Sequence, residues 1–329
     1  MKYDVTIGIP VYRSEAYIHK ALESALSQTY PYIEFLLIDD AGDDRSLYII
    51  QELQQTHQRG TAVRIISHDK NMGVSASRNQ IIQEAKGEFL YFMDSDDIIA
   101  EHTISLLMQN VRKYDAEIVF GSYEKIETSG ERFVYQYPSL QLMGIDKLAE
   151  FAYRKYGGIQ ASACNYLVKT SLLRENHLCF IDTNYWEDLV FTFDLVTYIY
   201  LCRENSLSHY QQRESISKEE VMQSVKAINH LKQTSLLLSD KVYFPNRCFN
   251  IVMSDFYIAC TILKRKEDIQ PSFTNEEIKS LMSHPATWKQ TTTFRQSRLK
   301  NQFIYLMGKL PSTLCVTAVW SLGKLKKLV

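Results

Sequence analysis

FLYFMDSDDII, residues 89–99, is the stretch of sequence from which the fold is predicted. Its first five residues are too uniformly apolar for a half-exposed strand and indicate a buried one, after which the carboxylates of Asp94, Asp96 and Asp97 follow. In an open α/β sheet, ligands bind at the carboxyl ends of the strands, where Asp-x-Asp can hold a divalent cation. Taken alone, the acids fit equally well a solvated loop that caps a helix beginning near Glu101.

Three further apolar runs precede this stretch, and segments with helical spacing of their apolar residues separate the runs. The runs predict strands at residues 5–10, 34–39 and 63–67. Four strand–helix units in about a hundred residues predict an α/β fold with a mostly parallel sheet, right-handed crossovers and flanking helices. Neither G-x-G-x-x-G after the first strand nor a P-loop occurs, so a phosphate group would be held in another way.

Composition limits the class of protein further. With 329 residues, 45% of them hydrophobic, and a net charge of −1, the chain can bury a large core, and we expect no nucleic-acid partner. The six cysteines form no C-x-x-C pair and the chain opens without a basic-then-apolar signal segment, so we expect a reducing, cytoplasmic setting. No apolar run reaches the roughly 20 residues that span a bilayer.

The chain changes character near residue 217, beyond which long amphipathic segments predict helices. We therefore place an α/β domain at residues 1–217 and a helical region at residues 218–329. From residue 278 to the end there are basic residues but no Asp or Glu. Two interpretations stay open for this end: an interfacial helix in peripheral contact with an anionic membrane, at the cytoplasmic face of the inner membrane, or an ordinary packed helix with a solvated basic face.

Acids also close a second predicted strand, since Asp39 and Asp40 end the run at residues 34–39. Between the two acidic strand ends, residues 71–79 lead into a helix whose first turns carry Arg78. An arginine at that position could pair with a phosphate, to which the free amides of the helix end would add. The other interpretation is a surface arginine on an amphipathic helix.

Five ordered blocks make the chain resemble the inverting glycosyltransferases of family 2, a group with the GT-A fold, and in particular those of bacterial surface-polysaccharide synthesis. The resemblance covers roughly residues 4–217. The blocks are IPVY at 9–12 with SALSQTY at 24–30, LIDD at 37–40, residues 71–79 with Gly87, FMDSDD at 92–97 and, more weakly, WEDLVF at 186–191. The resemblance implies transfer of a hexose or N-acetylhexosamine from a nucleoside-diphosphate sugar, usually a UDP-sugar, to a hydroxyl of a glycan or lipid-linked acceptor.

The resemblance also implies a role for each matching residue. The donor-binding residues would be Pro10, Tyr12, Asp39, Asp40, Arg78, Asp94 and Ser95. Among them the strand-end pair would lie at the nucleobase, and the arginine near the base or the diphosphate. Asp96 would coordinate Mg²⁺ or Mn²⁺, and Asp188 would be the general base, with Glu187 beside it. The helical region would help to bind the acceptor, and residues 209–217 resemble a tail motif that would close over the diphosphate.

The chemistry of such a transfer accounts for these residue types. A divalent cation on carboxylate oxygens stabilises the departing diphosphate. An acceptor hydroxyl needs a base within about 2.6–3.2 Å, which Asp188 would supply. A single displacement through an oxocarbenium-like transition state inverts the anomeric centre and needs no protein nucleophile. Without the resemblance, the preference for negative charge in a first helical turn is the favoured explanation of Glu187 and Asp188.

Two other functions fit parts of the sequence. A catalytically inactive nucleotide-sugar-binding subunit of a polysaccharide assembly complex would keep the donor site, but it would not need both Asp96 and Asp188. A nucleotidyltransferase shares the α/β layout and the metal carboxylates, but no glycine- and lysine-rich loop follows the first predicted strand to hold a triphosphate.

Overall fold

The structure is a computed structural model, and it describes residues 2–126, 131–136, 140–156, 162–183, 185–198, 201–204, 217–292, 298–326 and 328. The chain divides into two compact units. The first comprises Met1–Leu148, Ala161–Asp182 and Asp194–Arg213, and the second comprises Ala149–Gln160, Thr183–Phe193 and Glu214–Val329. The second unit thus contains the C-terminal helices and two segments that precede residue 217. The division by function that we expect at residue 217 stays a prediction.

Strands and helices alternate in the first unit as far as the strand Ile118–Phe120, and three further strands then follow without a helix between them. The strands are β1 (Val5–Val11), β2 (Ile33–Asp39), β3 (Val63–Ser67), β4 (Phe89–Phe92), β5 (Ile118–Phe120), β6 (Tyr123–Ile126), β7 (Arg132–Tyr135), β8 (Leu142–Met143), β9 (Tyr166–Lys169) and β10 (Leu201–Glu204). The α-helices of the described residues are α1 (Ile18–Leu26), α2 (Ser46–Thr56), α3 (Val74–Glu84), α4 (Thr103–Tyr114), α5 (Lys147–Glu150), α6 (Thr170–Glu175), α7 (Glu187–Tyr198), α8 (Lys218–Ser235), α9 (Phe244–Lys264), α10 (Asn275–Leu281), α11 (Trp288–Thr291), α12 (Arg298–Met307) and α13 (Ser312–Leu325).

One large sheet organises the first unit. Its strand order is β3-β2-β1-β4-β9-β5-β10-β8, and β6 and β7 form a separate hairpin. The strands β1 to β4 pair in parallel, whereas β9 lies antiparallel between β4 and β5. The expected α/β architecture, a mostly parallel sheet flanked by helices and followed by a helical region, is confirmed.

The central strands are buried along their whole length, which explains their continuous apolar sequences. Every residue of β1, β2 and β4 is buried, because helices cover both faces of the sheet. Helix α3 packs especially close to β1: a Cβ atom on Gly8 would lie 2.3 Å from Cγ2 of Ile81. A side chain at Gly8 would therefore push α3 away from the sheet.

Several local expectations differ from the structure. The apolar spacing of residues 172–180 predicts a helix there, but α6 ends at Glu175, and no pattern in the sequence predicts the strand β9 that precedes it. The short run of β9 gains its strand geometry from pairing with β4 and β5, which sequence periodicity does not reveal. The basic C-terminal end forms two helices, α12 and α13, because Pro311 lacks the backbone N–H that a continuous helix would need.

Residues 209–216 of the tail motif lie outside the described residues. From the sequence we also expect the loop around residues 156–165 to shape donor and acceptor specificity, and residues 157–161 of this loop lie outside them as well. Among the described helices, none combines the length and the apolar character that crossing a membrane requires.

Candidate functional site

The carboxyl edge of the first unit's sheet has the geometry of a ligand site. The strand β1 lies between β2 and β4, so the chain moves to one side of β1 and then, after β3, returns to the other side. Val11 pairs with Asp39, and Met93 donates its N–H to the carbonyl of Gly8 at 3.0 Å, which places the ends of the three strands next to one another. Ligands of open α/β sheets bind at such a switch point.

Asp40 organises the loop that precedes α3. Its buried carboxylate accepts hydrogen bonds from the N–H groups of Met72 (2.7 Å) and Gly73 (2.8 Å) and from Nδ1 of His68 (2.6 Å). Gly73 has φ 87°, a backbone conformation that side chains disfavour. Burial lowers the pKa of His68, but its hydrogen bonds to Asp40 and Gln80 outweigh burial and raise it. The loop is therefore held by Asp40, which His68 contacts from the end of β3.

Asp39, the last residue of β2, is in a different situation. Its side chain is only 7% exposed, yet no described residue donates a hydrogen bond to its carboxylate. Its backbone carbonyl accepts the N–H of His68 at 2.8 Å, so the residue itself is held in place. A carboxylate accepts hydrogen bonds, so at such an edge the side chain of Asp39 is available to a ligand N–H or O–H.

Arg78 is buried, with 5% of its surface exposed, so the interpretation as a surface arginine was wrong. Its Nη2 donates to Oδ1 of Asp94 at 2.8 Å, and its guanidinium lies 5.3 Å from the ring centroid of Phe180. Phe180 is held by Asn79, which accepts the N–H of residue 180 at 2.7 Å and donates to its carbonyl at 2.8 Å. The helix α3 thereby carries a fixed arginine to the acidic end of β4.

The acids after β4 do not cap a helix, so that interpretation was also wrong: α4 begins at Thr103, and its N-cap residue is His102. Asp94 is partly buried and Asp96 is exposed. Ser95 shares a hydrogen bond of 2.6 Å with Ser14, which ties this turn to the loop after β1.

Two buried side chains, Asp97 and Cys164, lie close to Asp94. Asp97 is 5% exposed, and burial, followed by the charges of Asp94 and Asp96, raises its pKa well above the usual range. Burial likewise raises the pKa of the Cys164 thiol. One potential ligand atom each from Asp94, Asp97 and Cys164 lies within 4.8 Å of the others. The oxygen-rich side of this cluster suits a hard divalent cation.

Pro10 and Tyr12 lie at the end of β1. Pro10 is buried within the strand, while Tyr12, just after it, is 42% exposed and faces the guanidinium of Arg13 at 5.2 Å. The loops after β1 and β2 are joined by the ion pair of Arg13 with Asp43 (2.7 Å) and by the N–H of Ser14 donating to Ser46 at 2.8 Å. One wall of the edge is thus stabilised by contacts between loops.

Asp188 belongs to the second unit, where it lies in the first turn of α7. Its Oδ1 accepts the N–H of Leu189 at 2.7 Å, and Glu187 beside it is 8% exposed. The structure therefore brings the donor-site candidates of the first unit to one sheet edge and gives the local setting of Asp188 within its own unit.

Sequence reasoning assigned no role to four residues of the edge: Asn79, Phe180, His68 and Cys164. His68 directly follows β3, so the rule that ligands bind at strand ends could have identified it. The contact between Asn79 and Phe180 joins residues 101 positions apart, and no local pattern announces it.

A mostly parallel sheet with polar residues at its carboxyl edge and a helical C-terminal region defines a GT-A-like protein. The chain belongs to glycosyl transferase family 2, whose model matches residues 6–175. Among curated relatives, Glycosyltransferase GlyG of Streptococcus pneumoniae is 31% identical over 176 residues, which are 53% of this chain and 57% of GlyG. The Poly(ribitol-phosphate) beta-glucosyltransferase of Bacillus spizizenii is 30% identical over 195 residues, 57% of this chain and 28% of that protein. The chain thus matches less than two thirds of the length of these relatives.

Solved structures support the fold. S. aureus TarS 1-349 in complex with UDP-GlcNAc has a TM-score of 0.63 at 17% identity, covering 93% of this chain and 90% of that chain. The mannosyltransferase PcManGT from Pyrobaculum calidifontis, in complex with GDP-Man and Mn²⁺, has a TM-score of 0.51 at 13% identity, covering 97% of this chain and 87% of that chain.

Proposed function

We propose that this protein transfers a hexose or N-acetylhexosamine from a UDP-sugar to a hydroxyl of a glycan or lipid-linked acceptor in the synthesis of a surface polysaccharide. The observation that carries the proposal is one sheet edge: the carboxylate of Asp39, which accepts no hydrogen bond from the described residues, lies at the end of β2, and the Arg78–Asp94 pair lies at the end of β4, on the other side of β1. Membership of family 2 and the printed activities of the relatives give the reaction class.

The donor nucleobase would lie against Asp39. A carboxylate only accepts hydrogen bonds, so it favours a base that presents an N–H, as uracil does. The likeness to TarS with UDP-GlcNAc supports the same choice, whereas PcManGT holds GDP-Man. Pro10 and Tyr12 would form the adjoining wall, and Asp40, whose oxygens are engaged by the loop, would act by holding residues 71–73 in place.

Asp94 and Asp96 fit a divalent cation, because carboxylate oxygens at a rigid strand end are the ligands that Mg²⁺ and Mn²⁺ prefer. When bound, the cation would neutralise charge on the departing diphosphate. Arg78 would orient Asp94 through their 2.8 Å hydrogen bond and add positive charge near the diphosphate. Ser95, bound to Ser14, would fix the turn that carries both acids.

Asp188 would act as general base and take the proton of the acceptor hydroxyl. The acceptor oxygen would bond to the anomeric carbon as the bond to the diphosphate breaks, so the reaction would invert that centre without a covalent enzyme intermediate. The basic helical region would contact the acceptor or an anionic membrane surface.

The proposal is tested by incubating the full chain with UDP-glucose or UDP-GlcNAc, Mn²⁺ and a panel of acceptor glycans, and measuring free UDP and pyrophosphate. We expect UDP without pyrophosphate, and loss of UDP release on chelation by EDTA. Asp96→Ala should lower release at least about a hundredfold, since it removes a metal ligand, whereas Asp69→Asn, an exposed acid after β3, should leave release unchanged.

Other outcomes separate the alternatives. Binding of the UDP-sugar without any UDP release, across a panel of acceptor glycans, would indicate an inactive binding subunit. Formation of pyrophosphate would indicate a nucleotidyltransferase. Release that survives EDTA and Asp96→Ala would exclude the proposed metal role.

A further inference from the structure

A groove of about 880 Å³ opens within the second unit, lined by α9, α12, the end of α13 and the start of α7. Its walls are mainly aromatic and aliphatic. Phe303 and Tyr257 in the lining are 50% and 45% exposed, and Leu299 is 80% exposed. A groove of this size matches the cavities that hold ligands, and exposed apolar side chains clustered around one cavity mark a binding surface.

Positive charge accompanies this apolar surface. Lys300 and Lys326 line the groove, both exposed, and no carboxylate of the described residues lines it. The ammonium of Lys326 lies 5.7 Å from the ring centroid of Phe256, a buried residue of the same lining. The chain from residue 278 onward contains no acid at all. An occupant that combines a hydrocarbon chain with a negatively charged group matches both properties.

We propose that this groove binds the hydrocarbon chain of a lipid phosphate, with Lys300 and Lys326 contacting the phosphate. Leu189 lines the groove and directly follows Asp188, the proposed base, on the same helix. The occupant is therefore the lipid anchor of the acceptor, an assignment that rests on the proposed function. A groove next to the base would hold the anchor while the saccharide that it carries presents its hydroxyl to Asp188.

The test is isothermal titration calorimetry of the full chain with farnesyl phosphate, without any donor sugar. Farnesol supplies the hydrocarbon alone and inorganic phosphate supplies the charge alone. We expect saturable binding of farnesyl phosphate, with each partial probe bound at least about tenfold more weakly, because each lacks one of the two contacts.

Matched variants locate the binding. Phe303→Asp should weaken farnesyl phosphate binding at least about tenfold, since it places a carboxylate in the groove. Leu306→Asp, on the same helix and 53% exposed but outside the lining, should bind as the wild type does. The double variant Lys300→Glu, Lys326→Glu should lose affinity for farnesyl phosphate but keep that for farnesol, while Lys309→Glu serves as the charge control.

The proposal is overturned if wild type does not bind farnesyl phosphate, or if Phe303→Asp and Leu306→Asp behave alike. Binding confined to phosphatidylglycerol vesicles and insensitive to Phe303→Asp would instead indicate docking on a membrane surface, and would overturn it as well. Circular dichroism melts verify that the variants fold. Because no donor is used, groove binding with no UDP release would contradict the proposed function alone.

Discussion

Asp39 and Asp40 are neighbours in sequence, but their carboxylates have opposite surroundings. Asp40 receives hydrogen bonds from two backbone amides and from His68, so its charge is satisfied within the protein. Asp39 receives none from the described residues, although it is nearly as deeply buried. One carboxylate therefore holds the loop, and its neighbour accepts no hydrogen bond from the described residues. Two adjacent acids in a sequence block can have such separate roles because successive strand-end residues point to different sides.

The prediction at the scale of a single residue concerns Asp188. Asp188→Asn should lower sugar transfer at least about a thousandfold, because the amide cannot accept the acceptor proton, while the affinity for UDP stays within about twofold of the wild type. The measurements are a transfer assay and calorimetric titration with UDP.

The control for this prediction is Asp240→Asn, an exposed acid of the same unit, which should change neither quantity. Near-normal turnover by Asp188→Asn would rule out its role as base. A large loss of UDP affinity would show that the residue acts on the donor instead.

At the scale of elements, the helix α3 contacts most of the strands and loops that form the candidate edge. Its preceding loop is held by Asp40, its first turns carry Arg78, and its body packs against β1 where Gly8 leaves no room for a side chain. At its far end, the guanidinium of Arg174 donates to the carbonyls of Ile82, Gln83 and Ala85 and so satisfies the last turn of the helix. A helix secured at both ends can present a side chain in a constant position.

Asn79→Ala tests the link between α3 and the segment that carries Phe180. The variant loses two hydrogen bonds to the backbone of residue 180, so we expect it to lower the free energy of unfolding by about 1–3 kcal/mol. We also expect weaker UDP binding, because Phe180 supports Arg78. Urea unfolding followed by circular dichroism measures the first effect, and calorimetry the second.

Asn110→Ala is the matched control, since Asn110 donates only to a carbonyl of its own helix at an exposed position. It should change the unfolding free energy by less than about 0.5 kcal/mol. If both variants lost equal stability, the contact with residue 180 would have no special weight.

At the scale of the whole molecule, the second unit contains a buried charge pair that should make its stability depend on pH. Nζ of Lys232 on α8 lies 2.5 Å from Oδ2 of Asp255 on α9, and both residues are buried. Burial, only partly offset by Lys232, raises the pKa of Asp255 to about 7. Between about pH 4 and pH 7 the folded state therefore keeps a proton that the unfolded state has lost, so this contribution to stability falls as pH rises.

We predict that the unfolding free energy of wild type relative to Asp255→Asn falls by roughly 2 kcal/mol between pH 5 and pH 8. All three tryptophans, Trp186, Trp288 and Trp320, lie in the second unit, so urea unfolding followed by tryptophan fluorescence reports on this unit. A difference that does not change with pH would contradict the prediction.

The neutral imidazole of His284 acts in the opposite direction. Burial lowers the pKa of His284 to about 4, so its contribution to stability is lost as pH falls from about 6.5 toward 4. His284 is present in both proteins of the comparison, and its effect therefore cancels in the difference between wild type and Asp255→Asn.

The sequence by itself determined the α/β class, the four parallel strands and their helices, and the acids at two strand ends. These features depend on apolar runs and helical spacing that each segment carries locally. It also identified the family, because the matching blocks lie along the chain in a characteristic order.

Only the tertiary structure decided which of those residues are free to meet a ligand. Segments far apart in the chain determine four features. These are the burial of Arg78, the hydrogen bonds that occupy the carboxylate of Asp40, the lack of such bonds from the described residues to the carboxylate of Asp39, and the groove around Phe303. The strand β9 became a strand only by pairing between β4 and β5. Local patterns cannot report such contacts, because their free energy arises from partners that folding brings together.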